Sequence, residues 1–222
     1  MRVEVAGIRS MKSADVAMLR PLARKFYNRD ARSVAKDLLG KVLVRREQGT
    51  VLAGRIVEDE AYLGENDPAA HSAAGRTARN SVLFGPPGHA YVYFIYGAHF
   101  CLNVSCLPEG NAGCVLIRAL EPLTGIEQMA RLRKMNFQQM PTRAAELRLL
   151  TSGPGRLCQA LAITRARDNA KDLTTTGDLW ISDDGFRPDK LAVTPRIGIT
   201  RAAGDPLRYL IAGNLFVSGK RV

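Results

Sequence analysis

The chain has 222 residues, of which 46% are hydrophobic and 24% charged, and a formal net charge of +11. This length suits one domain with one core, so we expect residues 1–222 to form a single domain. No apolar run approaches the roughly 20 residues that a membrane-spanning helix needs, and we expect no membrane partner.

The N-terminal residues and the cysteines indicate the cellular compartment of the protein. The first residues lack the continuous apolar core and the cleavage site of a secretory signal, so we expect a cytoplasmic protein. None of the four cysteines, at positions 101, 106, 114 and 158, forms a Cys-x-x-Cys pair. A structural zinc site is therefore not expected, and buried thiols are the simplest interpretation.

The excess of positive charge indicates a polyanionic partner. Nucleic acid is the leading candidate, although a ribosome-associated or membrane-surface protein would have a similar balance. The charge is uneven: residues 2–46 hold twelve Lys or Arg and four acids, whereas residues 47–70 hold six acids and one Arg. This distribution predicts an acidic pocket in a basic surface, and ordinary surface scatter is the alternative.

The predicted elements begin with a helix over residues 21–39, which can divide in two if Asp30 caps the second piece. Strands are predicted at 41–46 and 51–62, with a hairpin turn at 48–50 between them.

Residues 63–90 are polar and rich in Gly and Pro, which predicts a long functional loop. Aromatic and β-branched residues then predict strands at 91–96 and 100–106, forming a β-hairpin whose tip carries Tyr96 and His99.

The C-terminal half has weaker signals. We expect a strand at 114–119, helices at 125–135 and 142–150, and closing strands at 195–199 and 207–217. Ser152-Gly153-Pro154-Gly155 precedes a further helix, whose free amides could hold a phosphate or could be a simple cap.

Residues 56–105 hold three consecutive acids, all three histidines and four of the six tyrosines. This concentration predicts a pocket for a flat ring that is electron-rich or cationic. Strand alternation places Glu58, Glu60 and Tyr62 on one face, with Asp59 on the other. Glu58 and Glu60 would be about 7 Å apart, and either could be a functional acid or part of a structural ion pair.

Several segments, in the same order, resemble the alkyladenine (3-methyladenine) DNA glycosylases of the mammalian type. They are LLGKVLVRR, GRIVEDEAYLG, AAHS, the Arg-Asn of TARNS, YVYFIYG with CLNVS, CVLIRALEPL, SGPGRLCQALAI and RIGI. The resemblance runs from about residue 35 to the C-terminus and does not cover residues 1–34. It implies an α+β fold, a single domain around a curved antiparallel β-sheet with flanking helices and a protruding, DNA-inserting β-hairpin.

The resemblance also implies an activity and a set of functional residues. The family hydrolyses the N-glycosidic bond of damaged purines in duplex DNA after flipping the base out. Glu60 corresponds to the general base, and Arg118 to the arginine that helps to position the water. Tyr62 would stack on one face of the flipped base, and His71 with Tyr93 on the other.

Further assignments concern the duplex. Tyr96 corresponds to the wedge that fills the space left by the flipped nucleotide, and Asn103 to the residue that rejects the amino group of guanine. Arg76, Arg79 and Arg156 are candidates for contacts with the DNA backbone. The implied enzyme is a monomer that needs no metal or cofactor and acts on duplex DNA containing damaged purines.

Three alternatives remain at this stage. The first is a non-catalytic nucleic-acid binding protein on the same fold, which would not need its acids. The second is a hydrolase of small nucleosides, which would have little use for the net charge. The third is a metal-dependent hydrolase using Glu58, Glu60 and His71, although the His-Glu-x-x-His pattern of many such enzymes is missing.

Overall fold

The computed structural model describes residues 11–95, 97–135 and 144–219. The helices are α1 (Ser13–Ala17), α2 (Arg24–Tyr27), α3 (Ala31–Leu38), α4 (Ile126–Leu132), α5 (Ala144–Thr151), α6 (Pro154–Ala160) and α7 (Arg165–Asp168), with a 3-10 turn at Ser81–Phe84. The strands are β1 (Val42–Glu47), β2 (Thr50–Tyr62), β3 (Ala90–Ile95), β4 (His99–Cys106), β5 (Gly113–Thr124), β6 (Leu179–Ser182), β7 (Leu191–Thr194) and β8 (Arg208–Ile211).

One sheet organises these elements. Its strands run in the order β3-β4-β5-β2-β1-β6, and β8 joins β2 and β7. Every strand pair within the described residues is antiparallel. The 13-residue strand β2 lies at the centre, with β5 along one edge and both β1 and β8 along the other.

Bulges bend this central strand. The register between β2 and β5 shifts at Ala53/Gly54, at Ile56/Glu58 and at Glu58/Asp59. Each irregularity increases the local twist of the sheet and bends the strand. The result is a curled antiparallel sheet with helices packed on it, which confirms the predicted α+β class.

Local sequence explains the first part of the fold. The predicted break in the first helix is confirmed, because the Asp30 side chain accepts a hydrogen bond from the Arg32 backbone nitrogen at 2.9 Å and begins α3. The predicted β1–β2 hairpin is also confirmed. Its turn residues Gln48 and Gly49 both have positive φ, 47° and 77°, as the tightest hairpin turns require.

The core lies between the sheet and helices α3 and α6. Buried Val34 and Leu38 of α3 and Leu157 of α6 pack in the same cluster as Ile117 and Leu102 of the sheet. A second cluster contains Val16 of α1 and Trp180 of β6, among others, and the Trp180 indole donates to the Leu19 carbonyl at 3.1 Å. Residues 11–39 are therefore part of the folded unit.

Two predictions near the C-terminus are wrong. The predicted strand at 195–199 is irregular, and β7 ends just before it. Pro195 has no amide hydrogen to donate to a neighbouring strand, and Gly198 has a φ of 77°. The predicted strand at 207–217 is confined to β8, and the chain turns at residues 212–213.

The predicted hairpin consists of β3 and β4, which pair from Ala90↔Val104 to Ile95↔His99. Its tip residue Tyr96, the predicted wedge, lies outside the described residues. Within the described residues, no helix is both long and apolar enough to cross a membrane.

Candidate active site

A cavity of about 400 Å³ opens where β2, β5 and the β3–β4 hairpin meet the loop after β2. This is within the range of pockets that bind small organic ligands. Six of the residues assigned from the resemblance line it together: Glu60, Tyr62, His71, Tyr93, Asn103 and Arg118.

Glu60 is fully buried at the base of this cavity. One of its carboxylate oxygens lies 3.1 Å from Arg118 Nη1 and accepts a hydrogen bond from the Ile197 backbone nitrogen at 2.8 Å. The other accepts a hydrogen bond from the Tyr62 hydroxyl at 3.1 Å. The carboxylate is therefore held in one orientation by three groups from β2, β5 and the segment after β7.

Arg118 is shared between two carboxylates. Its Nε donates to Glu58 Oε1 at 2.9 Å, while its Nη1 faces Glu60. Burial lowers the pKa of Arg118, but the adjacent carboxylates of Glu60 and Glu58 outweigh this and raise that pKa above its ordinary value. The guanidinium is therefore charged and its direction is fixed from both ends.

Glu58 lies behind this arginine and does not line the cavity. It is fully buried and also accepts hydrogen bonds from Arg208 Nε at 2.8 Å and from the Ser218 hydroxyl at 2.8 Å. The Ser218 backbone nitrogen donates to its other oxygen. Glu58 is thus the structural member of the predicted acid pair, and it ties the C-terminal segment to Arg118.

Asp59, between the two glutamates, faces the other way. It is fully buried, and neither of its carboxyl oxygens has a hydrogen-bond partner among the described residues. Burial, and then repulsion from Glu58 and Glu60, raises the pKa of Asp59 well above its usual range. This environment therefore favours the protonated form of Asp59.

Tyr62 forms one wall of the cavity. Burial, followed by the charge of Glu60, raises the pKa of Tyr62, so its hydroxyl keeps the hydrogen that it donates to Glu60. The Arg196 guanidinium lies over its ring at 4.7 Å. Arg196 in turn forms a two-point ion pair with Asp67, at 2.5 and 3.0 Å.

His71 and Tyr93 lie together at the cavity. Their ring centroids are 4.5 Å apart in an edge-to-face arrangement, and His71 Nδ1 is 2.9 Å from the Tyr91 hydroxyl. Burial and then the nearby Arg79 lower the pKa of His71, which favours a neutral imidazole. Asn80 holds this loop, because its side chain donates to the His71 carbonyl at 2.9 Å.

Asn103 lies on β4 and has a fixed amide orientation. Its Nδ2 donates to the Tyr91 carbonyl at 3.1 Å, and the Cys114 thiol donates to its Oδ1 at 3.8 Å. Burial raises the pKa of Cys114 to about 12, so this thiol remains protonated. All four cysteines are free and buried, which confirms the expectation of buried thiols.

The predicted backbone-contacting arginines are all exposed. Arg79 lies 5.9 Å from the Tyr93 ring, and Arg76 lies 6.0 Å from the ring of Phe84. Arg156 follows Gly155, which lines the cavity next to His99. Arg79 therefore lies beside the cavity at Tyr93, Arg156 directly follows a residue of the lining, and Arg76 lies on the same loop as Arg79.

The expected acidic pocket within a basic surface is not what forms. Four of the six acids in residues 47–70 are paired with arginines: Glu47 with Arg167, Glu58 with Arg118 and Arg208, Glu60 with Arg118, and Asp67 with Arg196. A charge count along the chain missed this, because these arginines lie 58 residues or more away in sequence. The cavity is close to electrically balanced.

The predicted metal alternative finds no support in residues 11–95, 97–135 and 144–219. No group of three or more His, Cys, Asp or Glu side chains there could hold a metal ion. Glu58 and Glu60 are occupied by arginines and backbone nitrogens, and His71 by the Tyr91 hydroxyl.

Sequence reasoning missed four contributors to this site: Arg196 with Asp67, Arg208 and Ser218. The resembling segment RIGI, which begins at Arg196, was the available signal for the first. For Arg208 and Ser218 the sequence offers no local signal, because they reach Glu58 from 150 and 160 residues away.

A buried carboxylate aligned by an arginine, at the base of an aromatic cavity, is an arrangement suited to hydrolysis at a carbon atom bonded to a flat ring. Comparison of the sequence with known proteins agrees with this geometry. The chain belongs to the methylpurine-DNA glycosylase family, whose sequence model matches residues 25–215. This confirms the resemblance seen in the motifs, and it identifies the protein as a DNA glycosylase, a class of DNA repair enzyme.

Three relatives carry the name "Putative 3-methyladenine DNA glycosylase". One from Koribacter versatilis is 62% identical over 212 residues, covering 95% of this chain and 99% of its own length. One from Methanocella arvoryzae is 48% identical over 187 residues, covering 84% and 88%. One from Clostridium botulinum is 47% identical over 204 residues, covering 90% and 99%.

Proposed function

We propose that this DNA glycosylase removes alkylated purines, including 3-methyladenine and 7-methylguanine, from duplex DNA after flipping them into the cavity. Hypoxanthine and ethenoadenine are further proposed substrates. The observation that carries the proposal is the buried Glu60–Arg118 pair at the base of a cavity whose lining also includes Tyr62, His71 and Tyr93.

The reaction replaces a carbon–nitrogen bond with a carbon–oxygen bond. Water attacks the anomeric carbon of the deoxyribose as the bond to the purine nitrogen breaks, through an oxocarbenium-like state. Glu60 accepts the proton of the water and stabilises the positive charge that develops on the sugar. The bonding electrons leave with the base, so a cationic alkylpurine departs as a neutral molecule. A neutral base such as hypoxanthine must also take up a proton to depart as a neutral molecule.

Arg118 and its support keep Glu60 ready for this step. Since Nη1 of Arg118 faces one oxygen of Glu60 and Tyr62 donates to the other, the carboxylate cannot rotate freely. A carboxylate held in one orientation reduces the reorganisation that the reaction requires.

Recognition divides between stacking and exclusion. Aromatic faces accept any base, so Tyr62, His71 and Tyr93 supply affinity with little discrimination. Asn103, whose amide is fixed by Tyr91 and Cys114, supplies a polar edge that disfavours the amino group of guanine. 7-Methylguanine carries the same amino group, but its positive charge makes it a better leaving group than normal guanine.

Affinity for the duplex comes from charge. The net charge of +11 suits a partner whose backbone rewards distributed Lys and Arg, and Arg76, Arg79 and Arg156 are exposed near the cavity. Tyr96, at the hairpin tip, is proposed as the wedge that fills the space left in the base stack by the flipped nucleotide. Its packing there offsets the few kcal/mol that unstacking costs.

A single-turnover assay tests the proposal. Duplexes containing one hypoxanthine or one ethenoadenine, and a methylated duplex, are incubated with excess protein, and released base is measured beside an undamaged duplex. We expect release from the damaged duplexes alone. Binding to every duplex with release from none would refute the proposal and favour the non-catalytic alternative. Release from methylated DNA alone would restrict the substrates to cationic purines.

A further inference from the structure

The ion pair between Arg196 and Asp67 joins the two loops that form one side of the cavity. Both side chains are buried, at 0% and 1% exposure. Arg196 also donates to the Ala61 carbonyl at 3.1 Å, and Asp67 accepts from the backbone nitrogens of Leu63 and Ala69. The pair is therefore rigid, with its charges at fixed positions.

The ion pair also places a positive charge next to the aromatic ring of Tyr62. The Arg196 guanidinium lies 4.7 Å from the centre of the Tyr62 ring. Tyr62 lines the cavity, whereas Arg196 is buried and is not among the lining residues. The guanidinium thus covers the face of the ring that points away from the cavity.

A base stacked on the open face of Tyr62 would lie about 3.5 Å from the ring, and so roughly 8 Å from the guanidinium. An uncompensated positive charge there would repel a cationic alkylpurine and leave a neutral purine largely unaffected. Asp67 cancels that charge from directly beside it.

We propose that Asp67 is a specificity-determining residue: by neutralising Arg196 behind Tyr62, it allows the cavity to accept cationic bases alongside neutral ones. This inference rests on the proposed function, and in particular on Tyr62 as a stacking surface. In this proposal, an ion pair outside the cavity sets the balance between cationic and neutral substrates.

The size of the effect follows from Coulomb's law. Two unit charges about 8 Å apart, at an effective dielectric constant of about 20, interact strongly enough to change an equilibrium about 30-fold. Asp67→Asn keeps the shape of the side chain and removes its charge. The ratio of the release rate of 7-methylguanine to that of hypoxanthine should therefore fall by about ten- to thirtyfold.

Arg196→Gln should change the ratio of the two release rates in the opposite direction. Arg196→Gln removes the cation and leaves Asp67 negative, so the same ratio should rise. The double variant, Asp67→Asn with Arg196→Gln, should return the ratio to within about threefold of wild type, because neither charge remains. Glu65→Gln, an exposed acid on the same loop, is the matched control and should leave the ratio unchanged.

The test is single-turnover release of 7-methylguanine and of hypoxanthine, measured on the same preparation of each protein. A partly folded preparation lowers both rates equally, so the ratio reports specificity and not stability. If Asp67→Asn does not fold, Arg196→Gln should still raise the ratio, and the double variant should still return it to near the wild-type value. Equal ratios in all folded variants would overturn the inference while leaving the proposed function intact. Release of neither base by the wild type would refute the proposed function, and this inference with it.

Discussion

The Glu58→Gln variant separates the alignment of the site from its chemistry. Glu58 does not line the cavity, yet it accepts hydrogen bonds from Arg118 and Arg208 and from both donors of Ser218. Glutamine keeps the length of the side chain but removes the charge and replaces one acceptor oxygen by a donor.

Two effects should follow in Glu58→Gln. Removing one partner of a buried ion pair costs about 3–5 kcal/mol, which would lower the melting temperature of a domain of this size by roughly 6–20 °C. Arg118 should also lose its fixed direction, and a displacement of about 1 Å near a reacting group can reduce the rate about 100-fold. We therefore expect kcat to fall by about 10- to 100-fold, with little change in DNA affinity.

The assay is single-turnover base release at a temperature well below the melting transition, with DNA binding measured in parallel. Glu65→Gln serves as the control for loss of an acid on a solvent-exposed loop. Ser218→Ala removes only the hydroxyl contacts and should have a smaller effect of the same kind. A folded Glu58→Gln protein that releases base at the wild-type rate would refute the positioning role.

Two further predictions concern stability and DNA affinity. Asp59 has a raised pKa when folded, so it destabilises the protein as pH rises above the unfolded value of about 3.9. Asp59→Asn should therefore gain stability relative to wild type as the pH rises above about 3.9. A gain independent of pH in denaturant titrations would contradict this. Arg79→Gln should weaken binding to damaged and undamaged duplex alike and reduce the salt slope by about 0.9. Arg187→Gln is the control, because the guanidinium of Arg187 is already paired with Asp183. An unchanged salt slope in Arg79→Gln would exclude a contact between Arg79 and the DNA backbone.

The parts of the fold that sequence predicted are those set by local chemistry. The turn at Gln48-Gly49, the cap at Asp30 and the aromatic strands of the hairpin all depend on neighbouring residues. Residues 195–199 are irregular, although the sequence predicts a strand there. The structure instead uses the Ile197 backbone nitrogen to bind Glu60, which no strand pattern could reveal.

The candidate site shows the same division. Strand alternation correctly grouped Glu58, Glu60 and Tyr62 on one face, and this grouping persists despite the bulges at Glu58. Which glutamate enters the cavity depends on Arg208 and Ser218, far along the chain, so alternation alone could not decide it. The resemblance supplied Glu60, and the structure places that residue at the base of the cavity.

The role of Glu60 as the general base is the central claim, and Glu60→Gln tests it most directly. Wild type and variant are compared in single-turnover release from a hypoxanthine duplex and from methylated DNA, with binding to both duplexes measured on the same samples. We expect Glu60→Gln to bind both duplexes as wild type does and to lose at least about 100-fold in release, the contribution typical of a positioned base. Release at the wild-type rate by a folded Glu60→Gln protein would contradict the account.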